Sequence, residues 1–137
     1  MNVKAIMEAL AERLATIDGL RAYGFPVESV SPPAAIVSWP STYTFDATYG
    51  RGHDDLELFV VVVVGRPRDN KATLDRLSGY LDGAGASSVK AVLEAKPYPE
   101  PVELLRVRGV EIDIITMAGA EYVTAVFDVQ IDGRGTA

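Results

Sequence analysis

Between Leu58 and Val64 the chain is apolar at every position, reading Leu-Phe-Val-Val-Val-Val-Val. Successive side chains of a strand turn to opposite faces, so Leu58, Val60, Val62 and Val64 share one face while Phe59, Val61 and Val63 share the other. A run of β-branched residues favours a strand over a helix, and this one is too short to cross a bilayer as a helix. The pattern predicts a central strand covered on both sides, by helices on one face and by a sheet or a neighbouring subunit on the other.

The remaining periodicities arrange themselves around that strand. Val3, Ile6, Met7, Leu10, Leu14 and Ile17 recur at helical spacing behind Asn2. This predicts a capped amphipathic helix through about Ile17, stopped by Asp18-Gly19. A short strand at Leu20–Tyr23 follows, and then an irregular loop over residues 26–33, where Pro26, Pro32 and Pro33 disfavour helix and ladder alike. Ala34–Trp39 reads as a strand ended by Pro40. Thr42–Tyr49 alternates almost strictly, with Tyr43, Phe45, Ala47 and Tyr49 on one face, as a half-buried or edge strand does. It predicts a hairpin with Asp54–Val64 whose tip, Gly50–His53, carries Arg51 and His53.

Further on, Leu74, Leu77 and Leu81 make the apolar stripe of a helix over 70–81, with Tyr80 beside it. Ser87 or Ser88 caps a short third helix bearing Val89, Val92 and Leu93. In the strand Val102–Met117 the apolar positions change parity around Gly109, and a β-bulge there returns Leu105, Val107, Val110, Ile112 and Ile114 to one face. After the turn at Ala118-Gly119, Ala120–Ile131 alternates as the last strand. The fold class is therefore α+β: one domain over residues 1–132, a mixed or antiparallel sheet packed on two to three helices, with 133–137 as a flexible C-terminal tail.

Composition narrows the chemistry. The chain has 137 residues, no cysteine and one histidine, which removes thiolate catalysis and leaves little for a zinc site or a histidine relay. Its net charge of −6 disfavours a nucleic-acid binder held by phosphate contacts, and the N-terminus lacks the pattern of a signal peptide. A soluble protein of a reducing cytoplasm is expected, with no cofactor and no membrane partner. Gly83–Ser88 is glycine-rich, but it follows a helix and carries no phosphate-gripping lysine, so it reads as a helix-to-helix turn. His53, Asp54 and Asp55 point to alternating faces and cannot easily converge on one ion; they read as a solvated turn. Glu103, Glu111 and Asp113 fit a solvent or interface face, paired with Arg106 or Arg108. Arg66, Arg68 and Lys71 are the densest basic cluster, diluted by Asp69 and Asp75. The aromatic face of Tyr43, Phe45 and Tyr49 has two readings, ordinary core or subunit interface. Nothing in the sequence resembles a nucleophile with its base, and no enzyme is expected.

Five segments, in order, resemble tail terminator proteins of siphophages of actinobacteria. They are Met1–Leu14 (Met-Asn-Val-Lys-Ala-Ile-Met-Glu-Ala-Leu-Ala-Glu-Arg-Leu), Ser31–Val37 (Ser-Pro-Pro-Ala-Ala-Ile-Val), Phe45–Gly52 (Phe-Asp-Ala-Thr-Tyr-Gly-Arg-Gly), the valine run ending in Gly65, and Gly85–Glu94. The resemblance implies a virion protein at the head-proximal end of the tail, made in the host cytoplasm. It implies a homo-oligomer, usually a hexameric ring, that caps the tail tube, stops polymerisation of the tube protein and offers a surface to the head–tail connector. DNA would meet it only in passing through the lumen. Tyr43, Phe45, Tyr49, Arg51, His53, Arg66 and Arg68 are the expected assembly residues, chosen from pattern and not transferred from a family motif. The alternatives are a head–tail connector or minor tail protein, and a small ligand-binding or enzymatic domain using the Gly83–Ser88 turn or His53.

Overall fold

Asn2 opens the first helix, α1 (Val3–Leu14), its side-chain oxygen accepting a hydrogen bond from the Ala5 amide at 3.2 Å and so satisfying one of the donors a helix start leaves open. The computed structural model describes residues 1–27, 30–47 and 52–135. α1 stops at Leu14, earlier than expected; tight turns through Ile17 continue the chain and keep Ile17 buried.

A mixed five-stranded sheet follows, in the order β1-β2-β3-β5-β4. Its strands are β1 (Arg21–Tyr23), β2 (Ala34–Thr44), β3 (His53–Gly65), β4 (Val102–Met117) and β5 (Ala120–Arg134). β1 runs parallel to β2, and every other pair is antiparallel. The valine run lies in β3, at the centre. α2 (Asn70–Leu81) and α3 (Val89–Glu94) fall between β3 and β4. Residues of all three helices pack with Leu58, Val60, Val62 and Val64, and with Leu105, Val107, Phe127 and Val129 of the neighbouring strands, in one cluster. Leu58, Val60 and Val62 are fully buried, and each such side chain is worth about 1.5–3 kcal/mol in burial alone.

The other face is covered only in part within the chain. Val63 is buried there with Val30, Ala34 and Ile36, and Tyr23, Val27, Met117 and Tyr122 flank them. That small cluster closes one end only: Phe59 and Val61 are half-buried. Helices cover one face of β3; no second sheet covers the other among the described residues.

Four element-level details differ from the pattern or refine it. Pro40 does not end its strand; β2 continues to Thr44 across register shifts on both sides of Pro40. An edge position tolerates a missing donor, and β1 has already ended opposite Ile36. The expected bulge is present, as a register shift between Val107 and Gly109, and it places Leu105, Val107, Val110, Ile112 and Ile114 opposite Ile131, Val129, Phe127, Ala125 and Val123. β5 runs on through Gly133 and Arg134, beyond the boundary drawn at 132, because both residues pair with β3 and Gly133 also with β4. The helix α2 buries Thr73 and Tyr80, leaving Leu74 and Leu81 exposed. Its inward face is set by a close approach to Gly65, where an added Cβ would sit 2.7 Å from Thr73 Oγ1.

Candidate assembly surface

The residues expected to act together divide between two ends of the sheet. His53 opens β3, whereas Arg66 and Arg68 follow its last residue, Gly65; thirteen residues of strand put these ends ~40 Å apart at about 3.3 Å per residue. At the far end the Arg66 guanidinium lies 5.7 Å from the centroid of the Tyr122 ring, within cation–π range. Arg66, Pro67 and Arg68 border a shallow groove with Gly119, Ala120 and Glu121 of the β4–β5 turn. The cluster is thus a local stack against β5, separate from the aromatic hairpin.

At the near end Asp54 joins the start of β3 to Tyr43 and Asp46. It sits on the helix-facing side of β3 and is 5% exposed, which overturns its reading as part of a solvated turn. Its Oδ2 accepts from the Tyr43 hydroxyl at 2.6 Å and its Oδ1 from the Asp46 amide at 3.1 Å. The Met1 amino group donates to the same Tyr43 oxygen at 2.9 Å. Asp46 has φ +50°, a left-handed conformation that aspartate tolerates better than most residues, and its carboxylate takes the Gly52 amide at 3.0 Å. The Tyr43 hydrogen bond, then that of the Asp46 amide, hold the Asp54 carboxyl below its ordinary value despite burial. Burial, and then the adjacent carboxylate, push the Tyr43 phenol up to about 12.

His53 lies on the opposite side of the strand, as the alternation requires, and its Nε2 is 2.9 Å from Glu103 Oε2 on β4. Arg134 meets Glu100 at 2.5 Å and Glu103 at 3.7 Å. Among the described residues no group of three His, Asp or Glu side chains is placed to hold a metal ion. The expected pairing of Glu103, Glu111 and Asp113 with Arg106 or Arg108 does not form among the described residues: Arg108 bridges Asp128 at 2.9 Å and Glu57 at 3.5 Å, and Glu103 serves His53 and Arg134.

The aromatic face also divides. The Tyr43 and Phe45 rings are 4.8 Å apart, yet Tyr43 packs against the core while Phe45 is 74% exposed. Tyr49 and Arg51 lie outside the described residues. Among the uncovered apolar side chains not foreseen in the sequence are Trp39 on β2, 72% exposed, and Ile112 and Ile114 on β4, 51% and 55% exposed; Phe25 and Leu104 are exposed as well. Ile112 and Ile114 are on the helix-facing side by register, yet they stay exposed. Single exposed apolar side chains are ordinary on a monomer, whereas contiguous ones mark contact surfaces; Ile112 and Ile114 are neighbours on one face of one edge strand.

Both outer strands leave main-chain groups at the edges of the sheet. β1 pairs with β2 only from Ala34 to Ile36, so Val37–Thr44 has no strand on its outer side among the described residues. β4 is guarded at its start, where Glu94 at the end of α3 accepts the Val107 amide at 2.9 Å. From Val110 to Met117 no strand runs along its outer side among the described residues. An edge of this kind is a template for another strand. No protein-family model matches this chain, and no curated protein matches it.

Proposed function

We propose that this chain is a structural subunit of a phage particle, a tail terminator that assembles as a ring on the end of the tail tube. The reading rests on the ordered resemblance of five segments to that class. The observation that carries it furthest is the pairing of two uncovered strand edges with the exposed side chains Trp39, Phe45, Ile112 and Ile114. Such surfaces suit a subunit completed by copies of itself through heterologous contacts, which close into rings. In this reading the tube protein and the head–tail connector are its other partners, and the hydrogen bonds of Asp54 tie the start of β3 to Tyr43 and Asp46 at one end of the subunit. The protein is placed in the virion, at the head-proximal end of the tail. Immunogold labelling of particles with an antibody against the chain tests this placement. Label at the head–tail junction is expected; virions free of the chain would overturn the reading.

A further inference from the structure

The two uncovered stretches match in length, run in opposite directions and sit at opposite sides of the sheet. Val37–Thr44 and Val110–Met117 contain eight residues each. Val37 and Val110 lie on one level of the sheet, joined through Val60 and Phe127. From that level β2 runs toward the tip and β4 away from it. Two copies placed head to tail in the same orientation therefore bring β4 of one against β2 of the next as an antiparallel pair, with the second copy shifted along the strand direction. A stagger of this kind is what a closed sheet needs when its strands tilt from the axis.

Charge chooses between this pairing and its competitor. If β4 paired with β4 of a second copy about a twofold axis, Glu111 and Asp113 of both chains would crowd one face of the new ladder, and like charges across strands repel. The β2 stretch, Val-Ser-Trp-Pro-Ser-Thr-Tyr-Thr, carries no charge at all. It accepts a strand bearing Glu111 and Asp113 without repulsion. Ile112 and Ile114, uncovered on the helix-facing side, gain cover from the neighbour's edge. Pro40 removes one donor from the stretch, and the flanking backbone supplies the rest.

We propose that copies of this chain join by antiparallel addition of Val110–Met117 of one subunit to Val37–Thr44 of the next, making one sheet continuous across the subunit boundary. This rests on the reading of the chain as an assembly subunit and names the contact that makes the assembly. The absence of native cysteine makes the test direct, because a disulfide forms only between residues held a few ångströms apart. Ser41→Cys protein is mixed in turn with Ile112→Cys, Asp113→Cys and Ile114→Cys protein and oxidised. A covalent dimer containing one chain of each kind is expected from at least one mixture, and its loss when Trp39→Lys is added to the Ser41→Cys chain. Dimers from Asp113→Cys protein alone, without mixed dimers, would overturn the proposal in favour of the twofold pair. No dimer in any mixture, at the highest concentration that stays soluble, would also overturn it. Mixed dimers from a protein absent from virions would leave this contact standing and remove the terminator reading; the converse pair of results would remove the contact alone.

Discussion

Asp54 and Tyr43 show how a residue with unremarkable neighbours in sequence acquires a fixed task. The alternation places Asp54 on the inward face of β3, where a carboxylate is costly unless hydrogen-bonded, and Tyr43 with the Asp46 amide supplies the bonds. Because the folded carboxyl is held below its ordinary value, the native state keeps Asp54 ionised where the unfolded chain takes up a proton. Its contribution is present above the ordinary aspartate range and disappears as pH falls through the lowered value. Asp54→Asn is expected to lower Tm at neutral pH and to flatten the acid side of the stability profile, as denaturant titrations across pH would read. For Tyr43 the sign is the reverse. The folded phenol keeps its proton up to about 12 while its ordinary value is 10.0, so stability falls as pH rises between these values, and Tyr43→Phe removes that loss. Phe45 differs from Tyr43 in being exposed, so Phe45→Ser is expected to leave stability within about 0.5 kcal/mol of wild type and, on the proposed function, to lower the yield of assembled particles.

At the level of elements, α2 offers the sharpest contrast between pattern and packing. Of its three leucines only Leu77 packs against the core; the helix buries Thr73 and Tyr80 and leaves Leu74 64% exposed. Gly65 and Thr73 set that orientation by their close approach. Gly65→Ala is expected to cost about 1–3 kcal/mol by overpacking. Adding Thr73→Ala should recover part of that loss, giving a non-additive double-mutant cycle by urea denaturation. Leu74→Glu should change stability by less than about 0.5 kcal/mol. The strands were legible where alternation or an all-apolar run met a buried surface, and the Gly109 bulge was legible because Leu105 and Val107 share parity against Val110, Ile112 and Ile114. The exposure of Ile112 and Ile114 was not, because it depends on which strand lies at the edge and how far the helices reach. Strand order is a long-range property that local periodicity does not carry. Pro40 misled for the same reason: it breaks a central strand, but it sits on an edge. The Asp54 network escaped notice because its partners are brought together by the hairpin, and nothing in the triplet His53-Asp54-Asp55 distinguishes its middle residue except parity.

Taken whole, the molecule is an α+β domain with one well-filled face and one left mostly open. Val62 lies fully buried in the helix-covered cluster, and Val62→Asp places an unpaired charge there; loss of folding is expected, read as the absence of a cooperative thermal transition. A folded, soluble Val62→Asp protein would displace the core from where it is described. The central strand thus explains stability, while the proposed assembly rests on the outer strands and the exposed side chains. The terminator account is tested most directly by electron microscopy of particles made after deletion of the gene. It predicts tubes that grow past their normal length and carry no heads, whereas loss of a connector would leave finished, unattached tails. Tails of normal length joined to heads would contradict it.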